Sequence, residues 1–159
     1  MKKRSCIFLF LGALFIFTGC SGLKYLSMHP KDVVKEAEFY GVFKNDELGG
    51  EVIIIVKLLN EPMLNESDLF LWVVNHGKRP INFNYLVDKI SYYIGDVEYF
   101  PRDHNTILDY PNSLNPGRWL QYGNRKSLRF PDKERDQITS VAWKIWDLKE
   151  KFIVKRVRG

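Results

Sequence analysis

Residues 51–59, EVIIIVKLL, place five β-branched side chains in succession. A run with neither helical period nor polar alternation suits a strand covered on both faces, or one at the heart of a sandwich. Residues 68–76, DLFLWVVNH, repeat that character after a loop holding Pro62 and Asn65, and GKRP then breaks it. In INFNYLV, Ile81, Phe83, Tyr85 and Val87 alternate with Asn82, Asn84 and Leu86, which predicts a half-buried strand with Pro80 at its edge. SYYIGDVEYF predicts a hairpin around a type II′ Gly95-Asp96 turn, pairing Ile94 with Val97, Tyr93 with Glu98 and Tyr92 with Tyr99. SLRFP reads as a short strand and DKERD as a solvated turn. Residues 138–157 read as two strands around Lys149-Glu150, with Asp147 facing Phe152, Ile145 facing Val154 and Trp143 facing Arg156. Between these elements, residues 101–123 carry Pro101, Pro111, Pro116, Gly117 and Gly123, and read as a long loop with one short edge strand.

A chain of 159 residues has room for one core and a targeting segment. Hydrophobic residues at 45% and charged residues at 27% fit an ordinary globular chain, and 14% aromatics favour strands. The formal charge is +5, of which Lys2, Lys3 and Arg4 supply three, leaving +2 from Cys20 onward. That excess is too small to point to nucleic acid.

The N-terminus has three zones: basic MKKR, an apolar stretch from Cys6 to Phe17, and Thr18-Gly19 before Cys20. This is the layout of an export signal, and the run is short for a spanning helix, which needs about 20 apolar residues. The residues FTGC, 17–20, resemble the lipobox of bacterial lipoprotein signal peptides, with Phe17 where leucine is commonest. The resemblance implies cleavage before Cys20, diacylglycerol on its sulfur and an acyl chain on the new amino group. The division expected is a signal over 1–19, the lipidated cysteine and a linker over 20–37, and the domain over 38–159. Within the linker, KDVVKEAEF is open between two helical turns, with Val33, Val34 and Ala37 on one side, and the start of a strand. Cys6 is the one other cysteine and lies in the segment to be removed, so no intramolecular disulfide is expected.

Seven or eight short strands without a long helix predict an all-β antiparallel sandwich, with a small β-barrel as the alternative. The order of LFLWVVNHGKRPINFNY, an Asn-Pro-Gly loop, SLRFP and a final hairpin with a core Trp resembles immunoglobulin-like domains of secreted bacterial proteins. That resemblance implies a fold and transfers no site.

Chemistry is sparse. His29, His76 and His104 lack metal-ligand spacing, no phosphate-cradling glycine motif occurs, and no cofactor is expected. Asp103 beside His104 supports only an alternative reading, a small envelope hydrolase using the 101–123 loop. Aromatic and cationic residues in that loop, Arg118, Trp119 and Tyr122, suit a partner contact; the other reading of Trp119 folds it back to plug the open end of the sandwich. In the last hairpin Trp143 is expected in the core and Trp146 at least partly exposed beside Lys144, Ile153 and Lys155, which makes Trp146 a further candidate for partner binding. The expectation is a noncatalytic, lipid-anchored cell-envelope module, monomeric as an isolated domain, binding an envelope protein or glycan. It sits on the non-cytoplasmic side, at the outer membrane where one exists, since Ser21 resembles the outer-membrane sorting pattern.

Overall fold

The computed structural model describes residues 28–61, 65–84, 87–102, 112–122 and 128–157. Among them are a short helix α1 (Pro30–Val33), continued by a 3₁₀ turn over Val34–Glu36, and eleven strands. These are β1 (Phe39–Asn45), β2 (Gly50–Glu61), β3 (Glu66–Asn75), β4 (Ile81–Asn82), β5 (Lys89–Ile94), β6 (Val97–Tyr99), β7 (Ser113–Leu114), β8 (Trp119–Tyr122), β9 (Leu128–Pro131), β10 (Ile138–Ile145) and β11 (Glu150–Lys155). One sheet runs β1-β2-β3-β8, with β9 also on β3; a second runs β11-β10-β5-β6; β4 and β7 pair separately, and every pairing is antiparallel. Strands β8 and β9 take successive halves of one edge of β3, opposite residues 71–74 and 66–69. The first sheet is therefore four strands wide, laid over four in the second.

The molecule is an all-β sandwich whose sheets are not closed into a barrel. Single bridges join the sheet edges, Phe39 to Arg156 and Arg102 to Arg129, without extending into ladders. Between the sheets lies the main core. Strand β2 contributes Val52, Ile54, Val56 and Leu58, β3 contributes Leu69, Leu71 and Val73, and the second sheet answers with Ile90, Tyr92, Val141, Trp143, Ile145, Phe152 and Val154. Burying each such aliphatic side chain contributes about 1.5–3 kcal/mol.

The unbroken apolar run of β2 has the expected cause. Its other face holds Ile55 and Leu59, beside Phe70 and Trp72 of β3, in a second cluster outside the sandwich. Val33 and Ala37, both essentially inaccessible, cover that cluster from the N-terminal side. The 31–39 stretch is thus helical in its first half, and Val34 points away from the cluster, 38% exposed. Residues 28–37, expected as linker, are part of the packed body, and the Trp72 indole N–H donates to the Met28 carbonyl (3.3 Å).

Other expectations meet the structure unevenly. The 91–100 hairpin has the predicted register, and of its two turn residues only Gly95 takes a positive φ, 59°. The last hairpin does not: Trp143 pairs with Phe152, Ile145 with Glu150 and Val141 with Val154. Its turn is the four residues 146–149, because Leu148 drops into the core and Lys149 adopts φ 53°. The register is shifted by an even number of residues, so Trp143 still faces inward as expected. A β-bulge between Ile138 and Ser140 lets both Ile138 and Val141 face the core of one strand. The strand predicted over 81–87 ends after Asn82, because the Asn84 carbonyl accepts from the N–H groups of Val87 and Asp88 and turns the chain. Tyr85 and Leu86 lie outside the described residues, as do Cys6, Cys20 and the rest of 1–27.

Candidate binding groove on the outer face of the first sheet

Strand β8 decides where the loop residues go. It pairs with β3, Val74 opposite Trp119 and Leu71 opposite Tyr122, and its side chains alternate between the faces. Tyr122 and Leu120 therefore turn into the main core, where the Tyr122 ring meets Trp143 edge to face at 4.7 Å. Tyr122, expected as a contact residue, is 1% exposed and belongs to the core. Trp119 turns the other way, half-buried against the second cluster rather than plugging the end of the sandwich.

There Trp119 forms one wall of a groove of about 510 Å3. Ile53 and Ile55 of β2 and Val74 of β3 form the floor. Tyr40 of β1, and Pro30, Lys31 and Val34 of the N-terminal helix, stand on another side, with His29, His76 and Gly117 completing the rim. The His29 ring meets Trp119 edge to face at 5.7 Å, and its Nδ1 accepts the Lys31 backbone N–H (3.2 Å), capping the helix. The ring is thus held by a cap on one side and an aromatic contact on the other.

Buried Asn75, at the end of β3, fixes the turn that delivers Arg118 and Trp119. Its Nδ2 donates to the carbonyls of Arg79 and Leu114, both 2.9 Å, and its Oδ1 accepts the Gly77 N–H (2.8 Å). Its backbone N–H donates to the Arg118 carbonyl (3.0 Å) while its own carbonyl accepts from Gly117 (2.7 Å). Every hydrogen-bonding group of the amide is occupied except one acceptor lone pair, as a fully buried amide requires. Arg118 itself is exposed at this turn. The position of His76 has a second fixed point, since a Cβ on Gly50 would collide with the His76 carbonyl oxygen.

Trp146 is elsewhere. It lies in the β10–β11 turn, 43% exposed, and donates its backbone N–H to buried Asp88 (2.8 Å). Burial pushes the Asp88 carboxyl up from its ordinary value, against the N–H groups of Trp146 and Asn84, and the neighbouring Asp147 charge adds to the rise. Asp147 moves the other way: burial would raise it, but the Asn82 N–H and the Arg79 guanidinium outweigh that and hold it low.

Of the four expected contact residues, then, Trp119 lines the groove, Arg118 is exposed at the turn before β8 and is not among the groove-lining residues, Tyr122 is core and Trp146 is separate. His29 and His76, set aside in the sequence for want of metal-ligand spacing, are 47 positions apart and both line the groove, because α1 lies on the sheet. Among the described residues no group of three or more His, Cys, Asp or Glu side chains is placed to hold a metal ion, and no helix is long and apolar enough to cross a membrane. Asp103 and His104 lie outside the described residues. No family model, curated protein or solved structure matches the chain.

Proposed function

We propose that the protein is a lipid-anchored, noncatalytic cell-envelope module. Acyl chains on Cys20 tether the sandwich on the non-cytoplasmic side of a membrane, and the outer-face groove binds an envelope component. The observation that carries this reading is the FTGC boundary directly after a basic start and a short apolar run. Its physical sense is that one acyl chain anchors only marginally whereas two or three hold a domain at a bilayer. The groove supports the binding half: it joins an indole, a phenol, an aliphatic floor and two imidazoles in one concavity of ordinary ligand-site volume.

The test is intact-mass analysis of the protein from its native envelope. A chain beginning at Cys20 and carrying acyl masses, entering the detergent phase on extraction, is the expected result. Cys20→Ser is expected to accumulate as an uncleaved, unacylated precursor. A mature start elsewhere without lipid mass overturns the anchor. Turnover of an envelope polymer by the purified protein overturns the noncatalytic reading and favours a hydrolase using the 101–123 loop.

A further inference from the structure

The groove lining divides by chemistry. Its floor, Ile53, Ile55 and Val74, is aliphatic, Trp119 offers a half-buried indole, and the one formally charged side chain lining it is Lys31, with no carboxylate among the lining residues. An apolar floor beneath a positive rim suits an amphiphile: hydrocarbon against the floor, an anionic headgroup at the rim. Trp beside Lys is also the pairing found where a protein meets the headgroup level of a bilayer.

Chain length limits which amphiphile reaches the site. The chain enters the described structure at Met28, next to His29 and Pro30 of the groove wall, and Cys20 lies eight residues earlier. Eight fully extended residues span at most ~26–29 Å. On the reading that Cys20 is acylated, on which this inference rests, the groove is held within that distance of the bilayer by whatever path those residues take. The tether then supplies the local concentration, so a weak site suffices.

We propose that the groove faces the membrane and docks on it, with an anionic phospholipid as its ligand. The headgroup phosphate lies at Lys31, and the upper acyl region lies against Trp119 and the Ile53–Val74 floor. The acyl chains on Cys20 hold the domain at the bilayer, and the groove fixes which face of the sandwich the membrane sees.

The experiment uses the chain from Cys20 onward made without acylation, which contains every described residue, so that the tether cannot supply the binding. Its partition is measured on phosphatidylcholine vesicles and on vesicles that also contain phosphatidylglycerol, with some acyl chains brominated. Preference for the anionic vesicles is expected, fading with added salt, and Lys31→Gln should weaken it roughly fivefold, the effect of one cation near an anionic surface. Bromine quenching of tryptophan emission should be lost in Trp119→Phe and kept in Trp146→Phe. All variants are first shown to melt as the parent does; Lys31 is exposed and its replacement leaves the core untouched. Equal partition on the two vesicles, an anionic preference indifferent to Lys31→Gln, or quenching that follows Trp146 overturns the proposal. Absence of acyl mass on the native protein overturns the tether instead, and the vesicle measurements still decide the groove.

Discussion

Single residues carry sharp consequences where the backbone leaves no alternative. Lys149 holds φ 53° in the β10–β11 turn, a position where the equivalent residue of the β1–β2 turn, Gly49, has φ 62°. An L-residue in that region costs about 1–2 kcal/mol, partly offset by the greater unfolded-state freedom of glycine. Lys149→Gly should therefore stabilise the protein by about 0.5–1 kcal/mol, a rise of about 2–4 °C in a thermal melt. Gly50→Ala should do the reverse, because its Cβ meets backbone at the His76 carbonyl, and the lowered midpoint should come with a loss of Trp119-dependent binding. Asp88 predicts a pH effect. Its folded-state pKa is raised, so the stability tied to its protonation is present below about pH 3.9, the ordinary unfolded value, and is lost as pH rises through the folded pKa. Denaturant midpoints of wild type measured against Asp88→Asn should diverge in that direction with rising pH and then level off.

At the scale of elements, the N-terminal helix is the informative one. α1 and the turn after it form only two short turns, too few to hold helical shape in water alone. Packing of Val33 and Ala37 over Ile55, Phe70 and Trp72 keeps them in place. A chain beginning at residue 38 should lose about 3–5 kcal/mol relative to one beginning at 28, given the side-chain burial forfeited on both surfaces, and its Trp72 emission should shift to the red. An equal midpoint for the two would mean the helix is an ornament of the sheet. Glu38, where the helix hands over to β1, receives Lys57 (3.5 Å), Arg135 (3.2 Å) and Arg156 (3.8 Å) on a side chain only 12% exposed. Glu38→Gln leaves three cations facing a neutral amide and should cost about 1–3 kcal/mol in urea unfolding, more than a surface pair would.

For the whole molecule, two four-strand layers held by one apolar core predict a strand-dominated far-ultraviolet spectrum. For the chain from Cys20 onward, melting should be the same with and without reductant, since Cys20 is then the one cysteine and has no mate in the chain. The second sheet is also tied by polar contacts on its surface. Lys151 donates to Glu98 (2.6 Å) and lies 5.1 Å from the centroid of the Tyr93 ring. The first sheet, by contrast, presents the groove and its two imidazoles, so the two outer faces of the sandwich differ in kind. A membrane or partner that meets this protein meets unlike surfaces on its two sides.

Much of this was legible in the sequence, and the reason is local. The β-branched run of β2 reads as a strand covered on both faces or at the heart of a sandwich, the Gly-Asp turn sets its own hairpin register, and Trp143 faces inward under any even register of the last hairpin. Each of these is decided by side-chain period or by one residue's φ. The groove is not of that kind. His29, Ile53, His76 and Trp119 come from four segments, and neither their spacing nor their composition ties them together. Which face Trp119 and Tyr122 take depends on how β8 pairs with β3, and a slip of one residue would exchange them. The last turn likewise shifted because Leu148 found room in a core built by other strands. Tertiary structure decided these because sheet pairing is a long-range choice, made by burial across the sandwich rather than by neighbours along the chain.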